Sequence, residues 1–206
     1  MVEWSIEACR EAGRVRSIVV ACPPGHVDEL AGHDFGVVEG GATRAESVAN
    51  ALQSVETELV AIHDAARPLV TPELIEEVIA TLVADPDAAG AIAATLVTDT
   101  IKQAAKATND APQEGVSSSV AIESTLNRSH LWAAQTPQVF RVQPLREALA
   151  GNPDRIAAAT DEAMLVEAAG GRVLIHPSPA ENLKVTTPLD LRAAELLLAQ
   201  RPAWSS

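Results

Sequence analysis

The sequence predicts an α/β domain built on a mainly parallel sheet covered by helices, and three observations predict it. Short apolar runs of strand length alternate with helical patterns along most of the 206 residues, the order that yields parallel strands joined by crossover helices. The runs are apolar without polar alternation, as in strands buried on both faces. The clearest of them, Leu59-Val60-Ala61-Ile62, ends directly in His63-Asp64-Ala65-Ala66-Arg67-Pro68. An open α/β sheet binds its ligands beyond the carboxyl ends of its strands.

The elements follow in order. Val2, Ile6 and Cys9 share one face of a helix over residues 2–12, stopped by Gly13. Residues 16–21 read as a strand ended by Pro23-Pro24-Gly25, and residues 27–30 as a short helical piece. Phe35-Gly36-Val37-Val38 is a second strand, followed by Gly40-Gly41 and a helix over residues 45–54. After the Leu59 strand, Thr71 as N-cap, Pro72 at the first helical position and Glu73 in the first turn start a helix. Its stripe is Leu74, Ile75, Val78, Ile79 and Leu82. Residues 90–97 form another buried strand. The polar stretch 103–119 is too long for a structureless loop in a compact domain and reads as the tip of a projecting hairpin that returns over 120–125. Residues 126–132 make a short turn, 135–140 an extended segment around Pro137, and 144–150 a small helix stopping near Gly151-Asn152-Pro153. Thr160, followed by Asp161 and Glu162, caps a helix running to Gly170-Gly171; residues 172–176 are a strand. Thr187-Pro188-Leu189-Asp190 opens the last helix, whose apolar face is Leu191, Ala194 and Leu198. One domain over residues 1–206 accounts for all of it.

Composition narrows the function. Hydrophobic residues make up 47% and charged ones 21%, so the chain is globular, and with aromatics at 2% and no Tyr its core is aliphatic. No apolar run approaches the roughly 20 residues of a membrane span, and no secretory leader pattern is visible. Two cysteines and five scattered histidines give neither a disulfide framework nor a zinc site; a cytoplasmic setting follows. A net charge of −13 works against nucleic-acid binding but leaves room for a small phosphorylated substrate held by locally placed cations.

Single features remain two-sided. Asp64 and Arg67 fit either a local ion pair or a phosphate and its metal. Gly40-Gly41 before a helix fits a plain turn or a backbone anion cradle. Arg128 and Lys184 fit surface charges or phosphate clamps, Thr160 a cap, Thr136 a turn residue, and Thr98-Asp99-Thr100 a strand end.

Their order is more specific. Gly40-Gly41-x-x-Arg44-x-x-Ser47-Val48, His63 to Pro68, and Asp99-Thr100-Ile101-Lys102 come first. Arg128-Ser129-x-Leu131-Trp132, Gln135-Thr136-Pro137-Gln138-x-Phe140, Thr160-Asp161-Glu162-Ala163 and Asn182-Leu183-Lys184-Val185-Thr186 follow. This series resembles the 2-C-methyl-D-erythritol 4-phosphate cytidylyltransferases over nearly all of residues 2–200. The resemblance implies a Rossmann-like nucleotidyltransferase fold, helices on both sheet faces, and a projecting β-arm at about residues 100–125 that interlocks two subunits into a homodimer. It implies transfer of CMP from CTP to methylerythritol phosphate with release of pyrophosphate, and Mg²⁺ bound mainly through the CTP phosphates. On matching positions, Gly41, Ala42, Arg44, Ser47, Asp64 and Ala65 belong to the nucleotide site. Arg67, Thr100, Arg128, Thr136, Thr160 and Lys184 hold the acceptor, and Arg128, Lys184 and Asp64 are catalytic. Thr100 and Arg128 come from the arm, so the site is shared between subunits.

The family pattern also contains an N-terminal strand and a Gly-rich loop with an Arg and a Lys, ahead of the helix at residues 2–12; this sequence starts at that helix. The expectation is a bare strand edge between two halves of the sheet, with little or no turnover from this chain and full turnover when such a segment is supplied. The other readings are a silent dimer that binds a sugar phosphate, and a cytidylyltransferase for another polyol phosphate such as ribitol 5-phosphate. The Ala65-Ala66 pair favours methylerythritol.

Overall fold

Local chemistry sets most element boundaries in the computed structural model, which describes residues 1–30, 32–105 and 119–201. The helices are α1 (Val2–Glu11), α2 (Arg44–Leu52), α3 (Pro72–Val83), α4 (Val142–Leu149), α5 (Pro153–Ala158), α6 (Glu162–Ala168) and α7 (Pro188–Gln200). The strands are β1 (Val19–Cys22), β2 (Gly36–Glu39), β3 (Leu59–Ile62), β4 (Gly90–Leu96), β5 (Lys102–Ala104), β6 (Ile122–Thr125), β7 (Trp132–Arg141) and β8 (Val173–Pro177). Short 3₁₀ turns cover Val27–Leu30 and Arg128–His130. Thr71 caps α3 by accepting the Leu74 N–H at 3.2 Å. At α7 Thr187 and Asp190 form a capping box, each side chain bonding the other's backbone N–H.

Three local features differ from expectation. The cap of α6 is Asp161, whose carboxylate accepts the Met164 N–H at 2.9 Å, and not Thr160; a carboxylate on the open helix end adds charge to the hydrogen bond. Helix α5 went unread because one and a half turns carry no periodic signal. Asn152 caps it, accepting from the Asp154 and Arg155 N–H groups. On α7 only Ala194 of the expected apolar face is buried, and Leu191 is exposed.

By internal contacts the chain forms two units, Met1–Ala94 with Ala134–Ser206, and Thr95–Ala133. In the first, strands run in the order β3-β7-β4-β8, with β3–β7 antiparallel and β4–β8 parallel, while β1 and β2 pair in parallel as a separate sheet. The sheet is therefore mixed: the long β7 runs back between β3 and β4. Period-two alternation assigns its faces. Ala91, Ala93 and Val139 pack against α1 and α3, whereas Ile92 and Phe140 pack with Leu145, Leu165 and Val166. Helices thus cover both faces, as the resemblance implied.

Gly90 allows β4 to lie this close to β7, because a Cβ there would run into the Phe140 ring. Phe140 is fully buried. Gly90→Ala is expected to destabilise the fold by about 2 kcal/mol through overpacking, read as a lower urea midpoint at unchanged slope.

The expected bare edge is present. β1 and β3 are not hydrogen-bonded to one another, and a cavity of about 720 Å³ lies between them, lined by Ile18–Ala21 on one side and Leu59–Ile62 on the other. This is why β3, expected to be buried on both faces, has only half-buried side chains and an exposed Ala61.

In the second unit β5 and β6 pair antiparallel, which matches the two arms of the expected hairpin. Lys102 Nζ donates to Thr125 Oγ1 across the pair at 2.8 Å. Of the polar tip expected over residues 103–119, residues 106–118 lie outside the described residues. No helix among the described residues is long and apolar enough to cross a membrane.

Candidate active site

The chain leaves β3 in a tight turn closed by the Arg67 N–H donating to the Asp64 carbonyl at 2.8 Å. A second segment is tied to this turn: the Val185 N–H donates to the Ala66 carbonyl at 2.8 Å, which brings Lys184 beside Asp64. Lys184 Nζ donates to Asp64 Oδ2 at 2.8 Å. The other carboxylate oxygen, Oδ1, accepts from Arg44 Nε at 3.0 Å, and Arg44 Nη2 lies 3.0 Å from it in the same ion pair. Arg44 is the first residue of α2, and its Nη1 reaches Glu162, the first residue of α6. Residues far apart in sequence thus form one charged row, Lys184–Asp64–Arg44–Glu162.

The row shifts the proton affinities of its members. Burial pulls the Asp64 carboxyl up, but Lys184 and Arg44 outweigh it and hold Asp64 below its ordinary value. Glu162, 1% exposed, has its carboxyl raised by burial, which exceeds the pull of Arg44. Burial lowers the Arg67 guanidinium.

Arg44, Asp64 and Lys184 line two cavities at once. One is the cavity beside β3, where they stand with Ser47 and Ala65. The other, about 210 Å³, is lined also by Arg67, Thr136, Thr160 and Asp161. The expected nucleotide residues Arg44, Ser47, Asp64 and Ala65 therefore meet at the first cavity, and the expected acceptor residues Arg67, Thr136, Thr160 and Lys184 at the second.

Two groups of expected residues have other work in this structure. The N–H groups around Gly40-Gly41 have internal partners: Gly41 donates to Ser47 Oγ at 3.0 Å, and Ala42 to Glu46 Oε2 at 2.7 Å. Glu46 also closes the capping box of α2 with Thr43. Arg67, only 9% exposed, donates from Nη1 to the Asn182 carbonyl at 2.8 Å and from Nη2 to the Ala134 carbonyl at 3.5 Å. Its Nε has no partner among the described residues. Thr100 and Arg128 lie in the second unit, where both are exposed and Arg128 donates to the Thr98 carbonyl.

Three residues inside the motifs take roles that the sequence does not signal: Glu162, His63 and Asn182. Glu162 neutralises Arg44 from below. Asn182 Nδ2 donates to Gln135 Oε1 and to the Thr136 carbonyl, both at 2.9 Å, and so seats the segment before Lys184. Neither contact has a sequence signal, since each joins residues on separate elements. Burial pushes the His63 imidazole down from 6.5 to about 4, so His63 is neutral in the fold and takes a proton on unfolding. Its contribution to stability is fully present above 6.5 and is lost as the pH falls from 6.5 toward about 4. Urea midpoints measured across that window should fall for the native protein and fall less steeply for His63→Gln.

Comparison with known proteins gives a consistent match. A model of the 2-C-methyl-D-erythritol 4-phosphate cytidylyltransferase family matches residues 1–200. The 2-C-methyl-D-erythritol 4-phosphate cytidylyltransferase of Synechococcus sp. (strain WH7803) is 40% identical, with 98% of this chain and 87% of that protein covered. The bifunctional enzyme IspD/IspF of Anaeromyxobacter sp. (strain Fw109-5) is also 40% identical over 89% of this chain, which spans 46% of that longer protein. Among solved structures, the 2-C-methyl-D-erythritol 4-phosphate cytidylyltransferase from Thermus thermophilus is similar at a TM-score of 0.76 and 34% identity, covering 96% of this chain and 88% of that one.

Proposed function

Because the chain belongs to the 2-C-methyl-D-erythritol 4-phosphate cytidylyltransferase family, a family of nucleotidyltransferases, we propose that it transfers CMP from CTP to 2-C-methyl-D-erythritol 4-phosphate and releases pyrophosphate. The observation that carries this reading is the charged row Lys184–Asp64–Arg44, which borders both cavities. A bisubstrate transfer needs one wall common to two anionic ligands.

The acceptor's phosphate oxygen is already a nucleophile, so no side chain has to become one. A new bond forms from that oxygen to the α-phosphorus of CTP, and the bond from the α-phosphorus to the bridging oxygen breaks, with its electron pair leaving on pyrophosphate. Catalysis is then positioning and charge stabilisation. In the ligand-free site Asp64 holds both Lys184 and Arg44. An arriving phosphate competes with Asp64 for Lys184 Nζ, and Arg67 borders the acceptor side with its guanidinium tied to the Asn182 and Ala134 carbonyls. Arg44 and Ser47 take the nucleotide side. Lys184 is the cation that sits between the reacting phosphates; Thr100 and Arg128 belong to the arm and complete the acceptor site from the second subunit.

The donor set suits Mg²⁺ carried by the nucleotide. No group of three metal-ligating side chains occurs among the described residues, and both Asp64 oxygens already have cationic partners. An ion held by triphosphate oxygens needs no such cage; it would screen the charge of the triphosphate while Arg44 and Ser47 hold the nucleotide that bears it. We also infer a homodimer through the arm. Val120, Ile122 and Leu126 stand exposed in the second unit, which favours burial against a like surface.

The test is pyrophosphate release from the purified protein, alone and with the N-terminal segment of the family pattern supplied, in the presence of CTP, Mg²⁺ and methylerythritol phosphate. Release that needs all three, and that drops when ribitol 5-phosphate replaces the acceptor, is expected. Acceptor binding without pyrophosphate release would instead identify a silent sugar-phosphate binder.

A further inference from the structure

Thr136 lies at the small cavity yet is only 3% exposed, and its hydroxyl is surrounded by groups of the protein itself. The Asp64 N–H donates to Thr136 Oγ1 at 3.0 Å. His63 Nδ1 lies 3.0 Å from the same oxygen, and the other ring nitrogen, Nε2, lies 3.2 Å from the Arg67 carbonyl. A carbonyl can only accept, so Nε2 must carry the ring proton. The imidazole is neutral in the fold, because burial holds it well below its ordinary value, so Nδ1 is then bare and must accept. The one hydrogen left to fill that contact is the Thr136 hydroxyl proton. Every proton in the chain Asp64 N–H, Thr136 O–H, His63 Nε2–H, Arg67 C=O is thereby fixed in direction.

We infer that His63 and Thr136 are a proton-ordered positioning pair that holds both ends of the Asp64–Arg67 turn, and that Thr136 serves the reaction through Asp64 and not as a ligand of the acceptor phosphate. The pair spans the turn from the two sides: Thr136 holds the Asp64 amide at its start, and His63 holds the Arg67 carbonyl at its end. Asp64 in turn sets the places of Lys184 and Arg44. A hydroxyl whose proton points at His63 has none to offer a phosphate, which itself brings only acceptors. The sequence shows His63 and Thr136 more than seventy residues apart by their numbers, so nothing local couples them. This inference rests on the proposed transfer reaction only for its kinetic consequence; the proton order is a property of the ligand-free protein.

Two measurements test it. Nitrogen-15 NMR of the histidine rings, with His63 assigned by its loss in His63→Gln, should show a neutral ring protonated at Nε2 in the ligand-free native protein. A ring protonated at Nδ1 overturns the inference whatever the activity. In steady-state kinetics, Thr136→Val and His63→Leu should each lower kcat by about ten- to a hundredfold, the range expected when a reacting group is misplaced. KM for the acceptor and for CTP should stay within about threefold, and Thr136→Ser should recover most of the lost kcat. A rise in acceptor KM at unchanged kcat in Thr136→Val would make Thr136 a ligand and overturn the assignment. Protein without any turnover even when the family's N-terminal segment is supplied would refute the proposed function instead, and the ring spectrum would still decide the proton order.

Discussion

Replacing Lys184 by alanine is expected to lower kcat/KM by about a hundred- to a thousandfold, the usual loss when one preorganised charge is taken from a transition state. Among the described residues Lys184 is the one ammonium that borders both cavities, and in the ligand-free protein it rests on Asp64 at 2.8 Å. The loss should fall mainly on kcat, because charge grows on the phosphoryl oxygens as the α-phosphorus becomes five-coordinate. Folding should change little. The side chain is 43% exposed, and ion pairs open to water contribute little to stability. Lys184→Arg should recover only part of the rate, since a planar fork does not reproduce a compact point charge. Steady-state kinetics beside a thermal unfolding curve separate the two effects; a folded variant with undiminished turnover would remove Lys184 from the mechanism.

Glu162→Ala should cost about 3 kcal/mol of stability, the scale for breaking a buried ion pair from one side. Glu162 is 1% exposed and is the partner that offsets the Arg44 guanidinium inside the fold. Its removal opens a void at the start of α6 and leaves Arg44 with Asp64 alone. Glu162→Gln should cost less than half as much. Burial raises the Glu162 carboxyl, so the fold already favours the uncharged form, and the sign of the linkage makes this carboxylate's charge a burden that grows as the pH rises through its folded value. Urea unfolding of both variants at neutral pH checks the order. An alanine variant as stable as the glutamine one would mean that the pair with Arg44 contributes nothing. Activity should also fall in Glu162→Ala, since an Arg44 drawn further toward Asp64 competes with Lys184 for it.

The elements were largely legible because their signals are local. Thr71-Pro72-Glu73 and Thr187-Pro188-Leu189-Asp190 announce α3 and α7 through chemistry contained in one turn, and both caps form as read. Helix α5 escaped because six residues give no period to detect, and the cap of α6 fell one residue away from its reading because Thr160 and Asp161 offer the same kind of acceptor. The antiparallel place of β7 beside β3 was also out of reach. An apolar strand buried on both faces looks the same in either direction, and strand direction is set by which neighbour pairs with it.

The amino-acid sequence by itself determined where helices start, which runs pass through the core, and that Asp64, Arg67, Thr136 and Lys184 belong to one ordered series of motifs. These are properties of short windows and of their order along the chain. Only the tertiary structure decided how those residues divide the work. It set Asp64 between Lys184 and Arg44, buried Glu162 beneath Arg44, turned Arg67 toward backbone carbonyls, and pointed the Thr136 hydroxyl at His63. The physical reason is that hydrogen bonds and ion pairs depend on distance and direction in space. Each of these contacts joins segments that lie far apart along the chain, where spacing in sequence carries no information about either.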